Sequence, residues 1–152
     1  AFYEAFKDER VDCILTVEAS GIAVAITTAQ AFGGIPVVFA KKGDQRTVGH
    51  DVYTAQVYSF THQTMSTVRV SRKYLPAGAR VLIIDDFLAN GEAIEGLRSI
   101  VAQAGCELVG AGVCVEKGFQ PGGRKLREEG VKVVSLAIVD AIEDGHIRLR
   151  DD

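Results

Sequence analysis

Apolar residues along this chain fall into short runs and stripes whose spacing alternates between that of buried strands and that of helices. Strands are predicted over 12–17, 35–40, 79–84, 107–115 and 131–138, each rich in Val, Ile, Leu or Ala and bounded by polar or small residues. Between them, 20–32, 91–104 and 123–129 read as helices. In the second of these, Ala93, Leu97, Ile100, Val101 and Ala104 share one stripe and Gly105 ends it. Residues 1–9 read as the end of an amphipathic helix, with Phe2, Ala5 and Phe6 on one face. Strands alternating with helices of this length imply an α/β fold, a mainly parallel sheet with helices on both faces. Residues 51–72 interrupt that order. Val52, Thr54, Gln56 and Tyr58, then Thr67, Arg69 and Ser71, show mixed polar alternation around Ser59 to Met65, the pattern of an antiparallel flap (about 41–76) rather than of a core element.

Composition narrows the class. The 152 residues are 47% hydrophobic and 24% charged with three scattered prolines, so one folded domain over 1–152 is expected. A net charge of −3, from 17 basic and 20 acidic residues, gives no broad basic footprint for nucleic acid. Residues 19–40 carry no charge, yet Thr27, Thr28, Gln30, Gly33, Gly34 and Pro36 interrupt them, which predicts a buried helix and strand and no membrane span. Six charges among residues 1–12 argue against a signal peptide. Cys13, Cys106 and Cys114 lack CxxC spacing and are expected to be small apolar core residues in a reducing cytoplasm. His50, His62 and His146 show no ligand spacing, so no metal site built from protein side chains is expected. The tail from Asp140 to Asp152 is charged and carries no evident chemistry.

The densest signal lies at 81–93. Val81 to Ile84 form an apolar run suited to a strand covered on both faces, and Asp85 and Asp86 follow at its carboxyl end, where open α/β sheets bind ligands. Ala89, Asn90, Gly91, Glu92 and Ala93 then present backbone amides at a helix start, a setting that attracts phosphate, with Asn90 able to cap the helix. A phosphorylated sugar fits both parts, since paired carboxylates accept hydrogen bonds from vicinal hydroxyls. Glu92 opposes a phosphate unless its side chain turns to solvent.

This order of apolar strand, acidic pair and small-residue loop resembles the signature for 5-phosphoribosyl 1-diphosphate (PRPP) in type I phosphoribosyltransferases. Asp85 to Gly91 resembles the xanthine-using members of the purine branch in particular. The resemblance implies that Asp85 and Asp86 face the ribose 2′- and 3′-hydroxyls and that residues 89–93 hold the 5′-phosphate. The implied reaction transfers the phosphoribosyl group to xanthine, giving xanthosine 5′-monophosphate and diphosphate, with Mg²⁺ held mainly by the substrate, in a cytoplasmic homodimer. A PRPP-sensing regulator of the same fold, or an enzyme using guanine, hypoxanthine or adenine, remains an alternative.

Three further segments take meaning from that resemblance. Glu18, Ala19, Ser20 and Gly21 open a helix; spacing alone reads Ser20 as a cap, whereas the resemblance implies a diphosphate loop. Lys41 and Lys42 follow the second strand; they suit a solvated surface or the charge of a departing diphosphate. Lys117 and Phe119 end the strand after the phosphate helix, where the resemblance implies a donor to a purine carbonyl and a stacking ring rather than plain surface residues. Lys117 disfavours adenine, which lacks that carbonyl. Members of this branch also carry an N-terminal hood over the base, with no counterpart in residues 1–152, so weak base recognition by this chain is expected.

Overall fold

The computed structural model describes residues 1–43, 51–59 and 64–150. The elements run α1 (Phe2–Phe6), β1 (Cys13–Val17), α2 (Gly21–Ala31), β2 (Val37–Lys42), β3 (Val52–Ser59), β4 (Thr64–Ser71), β5 (Arg80–Leu88), α3 (Glu92–Gln103), β6 (Glu107–Lys117), α4 (Gly122–Glu128), β7 (Val133–Glu143) and β8 (His146–Leu149). A 3-10 turn over Arg72–Tyr74 leads from β4 towards β5. Eight strands form one sheet in the order β3-β4-β2-β1-β5-β6-β7-β8. The middle five are parallel, and an antiparallel strand or pair closes each edge. His50, His62 and the parts of the expected flap at 44–50 and 60–63 lie outside the described residues.

Central strands are buried on both sides because each face of the sheet has its own helical cover. Leu15, Val81 and Ile83 pack with Ile94, Leu97 and Ile100 of α3, while Ile14, Leu82 and Ile84 pack with Phe2, Phe6, Ala25 and Ala29 of α1 and α2. Such full burial of a Leu or Ile stabilises by roughly 1.5–3 kcal/mol each before entropy is counted. On β6, Gly112 leaves room for Phe2: a Cβ there would lie 2.8 Å from the Phe2 ring. Gly110 does the same for Phe6 at 2.7 Å.

Four expectations need correction. β5 continues past Ile84 to Leu88, because β6 keeps pairing with it as far as Leu88↔Glu116, so both aspartates lie within the strand. The β3–β4 pair is antiparallel, but its inner face belongs to the core: Tyr53, Val68 and Val70 are buried, and Gln103 of α3 donates to the Thr54 carbonyl at 2.8 Å. β7 runs to Glu143 rather than 138, and β8 folds back on it as an exposed hairpin within the charged tail. Of the cysteines, only Cys13 is fully buried; Cys106 and Cys114 are partly exposed.

Candidate functional site

From central β1 the chain crosses to β2 on one side and later returns to β5 on the other. Loops leaving β1 and β5 therefore diverge and open a crevice at the carboxyl ends of the strands, the usual ligand position in such sheets. Asp85 sits there, 4% exposed, and its Oδ1 accepts a hydrogen bond from the Asp86 amide at 2.9 Å. Burial, reinforced by the contact with Asp86, pushes its carboxyl up to about 7 from the ordinary 3.8; Lys42 acts in the opposite direction. Asp86 is only partly buried. The two acids thus differ in burial.

The loop after β1 reaches the same point. Gly21, the first residue of α2, packs so closely that a Cβ would overlap Thr16 Oγ1 and lie 2.9 Å from Asp85 Oδ1. Ser20 occupies the N-cap position without making a side-chain cap bond, so the α2 amides keep no side-chain acceptor from it. Glu18 holds the framework, since its carboxylate accepts the Lys42 amide at 2.7 Å and ties the loop to the end of β2. Ala19 and Ser20 are exposed. The two lysines separate, because strand residues alternate between faces. Lys42, exposed at the end of β2, acts on Asp85, whereas Lys41, partly buried, lines a groove with Phe39 and Tyr74.

On the β5 side, Gly91 rather than Asn90 occupies the N-cap of α3, at φ 97, a left-handed conformation that glycine adopts without strain. No side-chain cap bond forms there either. Glu92 and Ala93 begin the helix, and Glu92 is partly exposed. The loop at 89–91 rests on α4: the Gly122 amide donates to the Ala89 carbonyl at 3.1 Å, and a Cβ on Gly91 would lie 3.3 Å from Gly122 Cα.

Lys117 closes β6, and alternation turns it away from the face that holds Glu116. Glu116 is 3% exposed and takes a two-pronged pair from Arg127, at 2.8 and 2.7 Å, plus a bond from Ser135. Burial alone would raise its carboxyl, but the bonds from Arg127 and Ser135 outweigh it and hold the group below the usual range. Phe119, 49% exposed, lines a groove of ≈ 580 Å³ with Gln120, Arg124 and Arg150, a group to which Lys117 does not belong.

The phosphoribosyl transferase domain family matches residues 1–147. This chain belongs to the phosphoribosyltransferase family. It is 52% identical to the xanthine phosphoribosyltransferase of Laribacter hongkongensis over 147 residues, covering 97% of this chain and 77% of that protein. To the xanthine phosphoribosyltransferase of Clostridioides difficile it is 49% identical over 149 residues, 98% of this chain and 78% of the other. Among solved structures, an adenine phosphoribosyltransferase from Thermoanaerobacter pseudethanolicus matches with a TM-score of 0.78 at 23% identity, over 90% of this chain and 75% of that one. That likeness establishes a shared phosphoribosyltransferase fold.

Within the phosphoribosyltransferase frame, the structure brings Asp85, Asp86, the 18–21 loop and Lys42 together and sets residues 89–93 on the adjoining helix start. Lys41 lines a groove with Phe39 and Tyr74. Sequence reasoning overlooked Thr16, whose fully buried hydroxyl beside Gly21 has no hydrogen-bond partner among the described residues, and it overlooked Gly122. The only sequence trace of the latter is the doubled glycine after Pro121, which turn chemistry alone would explain.

Proposed function

We propose that this protein is a xanthine phosphoribosyltransferase that joins PRPP and xanthine into xanthosine 5′-monophosphate, releasing diphosphate, in cytoplasmic purine salvage. What carries the reading is the meeting of Asp85 with the α2 start at Gly21, beside the loop 89–91, in a chain 52% identical to a curated xanthine phosphoribosyltransferase. In the reaction a purine ring nitrogen forms a bond to ribose C1 as the C1–O bond breaks. That bond's electron pair leaves with the diphosphate, and the ring proton passes to solvent. Asp85 and Asp86 accept hydrogen bonds from the ribose hydroxyls and favour the cationic ring that develops at C1. Amides at 89–93 hold the 5′-phosphate, those at 18–21 with Lys42 receive the diphosphate, and Lys117 donates to a purine carbonyl. Phe119 offers a ring that stacks on the base.

Among the described residues no three His, Cys, Asp or Glu side chains gather as a metal site. Two neighbouring carboxylates at the crevice nevertheless suit Mg²⁺, which keeps waters and binds mainly through substrate phosphates. Asp85 and Asp86 are the residues that would help hold it. When bound, the ion neutralises charge on the diphosphate. We further infer a homodimer, with the groove beside β2 as its seat. Phe39 and Tyr74, 40% and 57% exposed, flank that groove of ≈ 620 Å³, and a second copy would cover them.

The deciding experiment measures diphosphate release from PRPP and Mg²⁺ with xanthine, guanine, hypoxanthine and adenine in turn. Xanthine should give the highest kcat/KM. PRPP binding without turnover of any base would overturn the enzymatic reading in favour of a sensor, and preference for another purine would reassign the substrate.

A further inference from the structure

Gly122 and Gly123 open α4, and neither has the positive φ that would call for glycine. Space explains both. A Cβ on Gly122 would lie 2.5 Å from the Ala89 carbonyl oxygen and 2.6 Å from the Gly91 nitrogen. A Cβ on Gly123 would overlap Glu116 Oε1. The start of α4 is thus wedged between the loop 89–91 and the buried carboxylate at the end of β6. With only seven residues, α4 cannot hold its own place and depends on its tethers.

Those tethers run in two directions. Towards the sheet, Glu116 takes both terminal nitrogens of Arg127 and the hydroxyl of Ser135 on β7. Towards the phosphate helix, Arg98 of α3 bonds Glu129 at 2.6 Å, and Lys125 lies 3.5 Å from Glu95. One short helix therefore joins the strand end that carries Lys117 to the loop that precedes α3.

We propose that Glu116 is a positioning residue: through Arg127 and the two glycines it fixes the loop 89–91 relative to Lys117, so that binding of a sugar 5′-phosphate and binding of a purine are coupled. The inference rests on the functional reading above, which assigns phosphate to the loop and base to Lys117. Its physical basis is linkage: a rigid element shared by two binding segments lets each ligand favour the arrangement the other needs, and the coupling is reciprocal.

The test uses ribose 5-phosphate, which carries the 5′-phosphate and has no leaving group to react. Its Kd is measured by calorimetry with and without saturating xanthine, for the wild type, Glu116→Gln and Gly122→Ala. Wild type should bind it several-fold more tightly with xanthine present. In both variants that enhancement should vanish, with the Kd raised about tenfold and the KM for PRPP rising while kcat changes less than about threefold. Variants that melt earlier but retain wild-type Kd and enhancement would show a merely structural role and overturn the proposal. Equal wild-type affinity with and without xanthine would overturn it as well. If Glu116→Gln does not fold, Ser135→Ala, which removes one bond to the same carboxylate, takes its place under the same criteria. Ribose 5-phosphate binding without turnover of any purine would defeat the functional reading alone. Xanthine turnover with unchanged binding in the variants would defeat this inference alone.

Discussion

Asp85 and Asp86 are neighbours in sequence and unlike in setting, and the difference can be measured without a substrate. Asp85 holds its proton up to about pH 7 in the folded protein because burial disfavours its charged form, whereas the unfolded chain releases it near the ordinary 3.8. Since the folded pKa is the higher one, the associated stability is full below about pH 4, declines as pH rises and is lost above about pH 7. At about 1.4 kcal/mol per pH unit the whole effect is at most roughly 4 kcal/mol. Asp85→Asn should therefore gain several degrees of melting temperature over the wild type between pH 5 and pH 8; parallel melting curves would contradict this. Lys117→Met should raise the KM for xanthine about tenfold or more and leave that for PRPP nearly unchanged, as steady-state kinetics can show. At this scale the position of the acid pair near the carboxyl end of β5 and of Lys117 at the end of β6 was legible, because local order in the chain defines both. The separation of Lys41 from Lys42 follows from β2 continuing through both, and the contacts of Gly122 join residues some thirty positions apart.

Elements were legible where their sequence periodicity matched their burial. α3 has its apolar stripe in the expected place, and Cys13 to Leu15 of β1 and Val81 to Ile84 of β5 are apolar runs covered on both faces. β8 is only four residues, His146 to Leu149, and although polar and apolar positions alternate there, all four are exposed, so no burial stands behind the pattern. The β3–β4 pair misled for a related reason: its outer positions are polar, while its inner face is buried only by docking on distant α3. β6 shows how a strand poor in large side chains can still be a fitted surface. Gly112→Val should displace Phe2 from its seat and lower stability by about 1–3 kcal/mol, which denaturant titration would detect.

At the scale of the molecule, a parallel core with antiparallel edges places the β1 and β5 loops on either side of one crevice and the end of β6 next to it. Alternation of predicted strands and helices was enough to indicate this layering, but not the strand order, which depends on pairing between distant segments. Sedimentation velocity should show the wild type as a dimer and Phe39→Glu as a monomer; a monomeric wild type would remove the homodimer.

Burial of Asp85 also bears on how quickly a polyanion can enter the crevice. While that carboxyl is protonated the opening carries one negative charge fewer, and encounter with a phosphorylated sugar meets less repulsion. The association rate constant should fall from pH 6 to pH 8, more steeply at low ionic strength than at high, and Asp85→Asn should flatten that part of the profile that the ligand's own ionisation does not supply.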